Sequence, residues 1–215
     1  PNFLHVEQAV NAAKAGKHVL CQKPIATTIE GANQIINAAK ENGVKLCVIY
    51  VGRTSPQNNF ALKLIQEGHL GKITFIRGRL SHANGLKITP DSWRYYKDKV
   101  GGGSFMQLGV HYADLFRFFN GGVKRVAAIG RTFTCDMEGD DTMGALLEFE
   151  QGAVGVLETG YSVRSPRRAV NCLEIYGDKG TILMDMDCGI RVYTVEGKYR
   201  AEVDGKKEWY IPSEE

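Results

Sequence analysis

Apolar residues recur at helical spacing early in the chain, at Val6, Ala9, Val10 and Ala13, and Gly16 follows where such a helix would stop. His18 to Cys21 reads as a short buried strand leading into the turn Gln22-Lys23-Pro24. Thr28 then stands at the N-cap of a second helix whose apolar face is Ile29, Ala32, Ile36 and Ala39, closed by Asn42-Gly43. Lys45 to Tyr50 is the next strand. Helix, strand, helix, strand with short connections is the rhythm of a parallel α/β sheet. It occurs only twice, so residues 1–52 read as the back part of a doubly wound domain.

After the Tyr50–Ser55 stretch the pattern changes. A helix from Pro56 to Glu67 stops at Gly68 and Gly71, and Lys72 to Ser81 reads as a strand. A long irregular stretch runs through Trp93 to the glycines at 101–103, and a helix follows from Ser104 to Phe119. Beyond it the signal is β: Lys124–Phe133, Thr142–Glu150, Ala153–Tyr161, Val170–Tyr176, Thr181–Asp185, Ile190–Thr194 and Glu208–Ile211. Turn signals at Glu150-Gln151-Gly152, Gly177-Asp178-Lys179-Gly180 and Asp204-Gly205 separate several of them. Such tight spacing predicts hairpins, and so a large, mainly antiparallel open sheet over residues 53–215 with helices on one face. The other face would expose alternating residues such as Val154, Val156 and Ile175. Pairing that face with a second copy gives a homodimer or homotetramer.

Charge narrows the partners. The balance of 27 Lys+Arg against 24 Asp+Glu leaves +3, too small and too evenly spread to point to nucleic acid or an acidic membrane. No apolar run is long enough to cross a bilayer. The five cysteines are widely spaced, with no Cys-x-x-Cys pair, which fits reduced thiols in a cytoplasmic protein and no metal site. The chain opens on Pro1 without an initiator Met, in keeping with a piece of a longer protein.

Two constellations carry chemistry. Lys23 is held on a strand-to-loop turn by the proline after it, a fixed point charge able to stabilise an oxyanion. Read alone, it fits a solvated lysine beside a turn better. On the helix from Ser104, Gln107, His111 and Asp114 stand at i, i+4 and i+7 and share one stripe. An imidazole there can accept an alcohol proton near neutral pH. Read alone, it also fits a histidine that only satisfies a neighbouring carbonyl. The three glycines before the helix allow close backbone approach and leave orphan N–H groups at its start.

Taken in order, Pro1-Asn2-x-x-His5, Cys21-Gln22-Lys23-Pro24, Trp93-Arg94 and Gly101-Gly102-Gly103 followed by His111 resemble the nicotinamide-dependent sugar oxidoreductases (Gfo/Idh/MocA), typified by glucose–fructose oxidoreductase and inositol 2-dehydrogenase. The resemblance runs from Pro1 to about Asp185. It implies a Rossmann-type domain, of which residues 1–52 are the remnant, and a substrate-binding and oligomerisation domain from residue 53. It implies Lys23, His111 and Gln107 as the catalytic set, acting on a sugar, cyclitol or polyol. Pro1, Asn2, His5, Gln22, Lys23, Trp93 and Arg94 would lie against NAD or NADP, and Lys23, Arg53, Gln107, His111 and Asp114 against substrate. Two positions depart from the family pattern: Gln22 stands for its Glu, and Gln107 for its Asp. Both are neutral, which leaves open a non-catalytic sugar-binding or regulatory member. No Gly-x-Gly-x-x-Gly occurs in the chain, so the diphosphate-binding turn is missing and the chain alone is expected to bind the cofactor weakly or not at all.

Overall fold

The computed structural model describes residues 1–164, 171–185, 189–195 and 197–201, the last of these by backbone alone. The expected opening is present: α1 (His5–Lys14), β1 (Val19–Gln22), α2 (Ile29–Glu41) and β2 (Leu46–Ile49). β1 and β2 pair in parallel, from Val19 beside Leu46 to Gln22 beside Ile49. Thr28 caps α2 by accepting the Gly31 N–H at 3.0 Å, which satisfies one of the orphan donors of the first turn. Ala9, Ala26 and Ile35 pack with Val6, Val10, Val19 and Leu46 beneath the two helices. That packing covers one face only. β1 is therefore not the fully buried strand expected from its apolar run, and Leu20 is 68% exposed on the bare side.

A 3₁₀ turn, Val51–Thr54, leads from β2 to α3 (Pro56–Gln66) and the second sheet. Its strands are β3 (Ile73–Ser81), β4 (Val123–Arg131), β5 (Thr142–Phe149), β6 (Val154–Gly160), β7 (Cys172–Gly177), β8 (Gly180–Asp185), β9 (Gly189–Thr194) and β10 (Gly197–Ala201). They lie in the order β10-β9-β8-β7-β3-β6-β5-β4. Only β3 and β6 run parallel; every other neighbouring pair is antiparallel. β10 had no counterpart in the sequence reading, whereas the strand expected at Glu208–Ile211 lies outside the described residues. Between β3 and β4 come a short α4 (Lys97–Val100) and α5 (Val110–Asn120). The residues just before α5, Phe105–Gly109, wind as a π turn rather than as the first turn of an α-helix.

α3 and α5 cover one face of the large sheet. Leu64, Leu115, Phe116 and Phe119 pack on Ile76, Leu147, Phe149, Leu157, Ile175 and Ile182. Burying each of the largest of these side chains is worth about 1.5–3 kcal/mol. Gly78 lets α5 approach β3, for a Cβ there would collide with Tyr112 and Phe116. Ile175, expected on the open face, is fully buried beneath the helices. Its cross-strand partner is the core residue Ile76, and cross-strand partners share a face. Val154 is exposed on the open face as expected, near exposed Leu146 at one end. Over the rest lie the Arg77–Glu158 pair at 3.1 Å, the Tyr176 hydroxyl donating to Glu174 at 2.7 Å, and Arg191–Asp185 at 2.9 Å.

Candidate active site

The two parallel strands of the first sheet end facing α5. A crevice outside the carboxyl ends of parallel strands is where such sheets place ligands. Lys23, one residue past β1, is half-buried, and its Nζ donates to the Gln107 carbonyl at 2.7 Å. Its backbone N–H donates to Gln22 Oε1 at 2.9 Å, so Gln22 braces the turn. His5 Nδ1 lies 2.7 Å from the Pro24 carbonyl. A carbonyl only accepts, so that nitrogen carries the proton. The long reach from Lys23 to residue 107 brings the two sequence constellations into one site.

His111 sits four residues beyond Gln107, half-buried on α5. Burial, and then the Lys23 ammonium, lower its pKa from 6.5 to about 4, with Asp114 opposing. The imidazole is therefore neutral at physiological pH and able to accept a proton. Burial, then Arg94, lowers the pKa of Lys23 as well. Gln107 is 8% exposed, and its Nε2 has no hydrogen-bond partner among the described residues. A buried amide donor left unpaired costs about 1–3 kcal/mol. A ligand oxygen at that place would recover it.

The expected stripe of Gln107, His111 and Asp114 is interrupted. The i→i+5 winding of the π turn shifts Gln107 out of the α-helical phase of the other two. Asp114 does not turn to His111; both its oxygens are held by Arg53, at 2.8 and 2.7 Å. The glycines behave as structural spacers. Gly101 has φ +86°, and a Cβ there would come within 2.8 Å of the Thr27 backbone. A Cβ on Gly103 would overlap the Asp140 backbone. The N–H groups expected to be orphans are satisfied: Ser104 N–H donates to the Asp140 carbonyl at 2.6 Å, and Phe105 N–H to Asp140 Oδ2 at 3.0 Å.

Among the residues expected at the cofactor, Asn2 is 5% exposed and donates through Nδ2 to the Val100 carbonyl at 2.9 Å. It ties the start of the chain to α4. Pro1 is exposed, and its carbonyl accepts the Leu4 N–H. Phe3 meets the edge of Trp93, ring centroids 6.3 Å apart, and the Arg94 guanidinium lies over Trp93 at 4.5 Å. Sequence reasoning missed Asp140, which no local motif marks. It also missed Tyr161, which is buried and stacks on His82 at 5.1 Å where the parallel pair β3/β6 ends. The parts of the chain fit one end of a dinucleotide. The Lys23 ammonium, with the Arg94 charge acting on it, and the unpaired buried Nε2 of Gln107 offer donors there, while the turn that holds a diphosphate is not in this chain.

Residues 60–183 match the GFO/IDH/MocA C-terminal domain, and residues 1–50 match the oxidoreductase family's NAD-binding Rossmann fold. The chain is 28% identical over 211 residues to levoglucosan dehydrogenase of Pseudarthrobacter phenanthrenivorans, covering 87% of this chain and 54% of that protein. It is 32% identical over 185 residues to 1,5-anhydro-D-fructose reductase of Ensifer adhaerens, covering 85% and 54%. The fold superposes on levoglucosan dehydrogenase in complex with NADH and levoglucosan with a TM-score of 0.85 and 28% identity, covering 99% of this chain and 63% of that one. It superposes on the WlbA dehydrogenase of Bordetella pertussis in complex with NADH and UDP-GlcNAcA with a TM-score of 0.80 and 30% identity, covering 86% and 57%. The chain thus spans about half the length of the curated relatives it matches. These comparisons give the non-catalytic alternative no support. Among the described residues, no helix is long and apolar enough to cross a membrane.

Proposed function

The chain belongs to the Gfo/Idh/MocA oxidoreductase family, and from that premise we propose that it is the substrate-side portion of an NAD(P)-dependent oxidoreductase acting on a sugar, cyclitol or related polyol. The nicotinamide, when bound, supplies the hydride acceptor or donor. This chain supplies the groups that manage the oxygen and its proton. The Lys23 ammonium spends one N–H on the Gln107 carbonyl and keeps two for the reacting oxygen, where it stabilises developing negative charge. His111, neutral because it is buried beside Lys23, takes the hydroxyl proton. Gln107 Nε2 donates to a neighbouring oxygen of the substrate, which fixes the carbinol in place.

The observation that carries this reading is the convergence of Lys23, Gln107 and His111 from parts of the chain more than eighty residues apart. Relatives named as dehydrogenase and reductase for anhydro-sugars support the substrate class. We also take residues 1–52 as the cofactor-side remnant and 53–215 as the substrate-side domain. The test joins this chain to the diphosphate-binding half domain of a relative and follows nicotinamide reduction across a panel of sugars, cyclitols and polyols. His111→Ala should lower the rate by about 10²–10⁴-fold with cofactor affinity unchanged. A full rate in that variant, at neutral pH, would remove His111 from proton transfer.

A further inference from the structure

Two anchors fix α5 and its leading π turn to the first sheet. Past the end of β1, Lys23 Nζ holds the Gln107 carbonyl at 2.7 Å. Past the end of β2, Arg53 grips Asp114 with its Nε and one terminal nitrogen, at 2.8 and 2.7 Å. The two strands are neighbours in parallel register, Gln22 beside Ile49. His111 lies between the two anchored residues, four after one and three before the other.

We propose that the Arg53–Asp114 pair is a positioning device, holding the His111 turn of α5 against Lys23, and that neither side chain is spent on substrate. The surroundings suit that task. Asn58 Nδ2 donates to the Gly52 carbonyl at 2.8 Å and Asn59 Nδ2 to the Arg53 carbonyl at 3.0 Å, so α3 braces the turn that carries Arg53. Gly52 packs on Leu115, where a Cβ would stand only 3.1 Å from that side chain, and the Arg53 guanidinium lies 5.0 Å from the Phe118 ring centroid. Arg53 therefore meets α5 through an ion pair, a ring and its own backbone turn. A two-bonded guanidinium fork fixes orientation as well as distance, which a lysine cannot do. The Asp114 side chain is 11% exposed, so little of it is left for another partner.

The proposal rests on the oxidoreductase reading only for the use to which His111 is put; the positioning belongs to the chain without any ligand. The charged groups acting on His111 are Lys23 from the end of β1 and Asp114 from its own helix. Arg53 is paired with Asp114, the charges of Asp114, Arg53 and Arg117 all act on Tyr50, and Arg94 acts on Lys23. The experiment is an NMR titration of the His111 ring in this chain and in Arg53→Ala, Arg53→Lys and Asp114→Asn. Arg53→Lys keeps both charges and so keeps the fold. If the pair positions α5, all three variants let water reach the ring and move it from Lys23, raising its midpoint by roughly one pH unit, with Arg53→Lys the smallest change. The double variant Arg53→Ala/Asp114→Asn should go no further than the larger single. If the pair acted only as distant charges, Asp114→Asn would lower the midpoint, Arg53→Ala would raise it and Arg53→Lys would leave it alone. That pattern, or no change in any variant, overturns the proposal. Unchanged turnover of the variants in the joined enzyme, with the common rise intact, would count against the oxidoreductase reading and not against the positioning.

Discussion

Acidifying the chain from about pH 7.5 to about pH 5 places a demand on His111 that the folded site resists. The ring titrates at about 4 in the folded chain against 6.5 for an unperturbed histidine, because burial strips the water that would solvate its cation and Lys23 repels it. Between those two values the unfolded chain binds more protons than the folded one, so stability rises with pH across the window. Above about pH 6.5 the ring is neutral in both states and the contribution is complete; as the pH falls towards about 4 it is lost. One pH unit of displacement corresponds to about 1.4 kcal/mol, so at about pH 5 the full loss is about 2 kcal/mol. Part of the ring still meets water, and screening brings the expected figure to about 1 kcal/mol.

Urea unfolding of the chain and of His111→Gln, each at both pH values, isolates this loss. Glutamine is polar, near in size and does not titrate. Subtracting the variant removes the carboxylates, which titrate in both proteins. The chain should lose about 1 kcal/mol more than the variant, with unchanged dependence on urea concentration in each. Equal losses would mean that the imidazole is not held neutral. The account of His111 as depressed by burial and by the Lys23 ammonium would then fail.

Three further outcomes are expected. Calorimetric titration of the chain with NADH and NADPH should show only weak binding, since it has no Gly-x-Gly-x-x-Gly turn; micromolar affinity would place the cofactor elsewhere. Gln107→Asp should raise the His111 midpoint, because a carboxylate added to the same site favours the ring's cation, and should raise turnover in the joined enzyme. An unchanged NMR midpoint would show that residue 107 does not act on the ring. Light scattering at micromolar concentration should give a dimer or tetramer: Leu146 is 54% and Val154 40% exposed at one end of the open face, beside ion pairs that a second copy can meet. A clean monomer would remove the sheet face as an interface.

The chemistry of the site was legible where it depends on local spacing. Lys23 before Pro24 and His111 after three glycines could be found because each sits beside its own structural marker. The geometry was not legible, because its causes lie far along the chain. Nothing in Phe105–Gly109 announces a π turn; Asp140 caps its start and Lys23 holds its carbonyl, from thirty-five and eighty-four residues away. Arg53 and Asp114 were both recognised as charges near the cleft, but their engagement with each other spans sixty-one residues and no periodicity encodes it. The face taken by Ile175 was hidden for a different reason. Leu173 and Ile175 alternate with Cys172 and Tyr176, so both faces of β7 are partly apolar, and only the pairing with Ile76 decides between them. The residues easiest to recognise are thus the ones whose behaviour is set by residues without any signal. His111 is neutral because Lys23 and the core around α5 keep it so, and Lys23 is held in that site by the Gln107 carbonyl that the π turn offers. Change at Asp140 or Arg53 should therefore disturb proton transfer while leaving every recognisable motif intact.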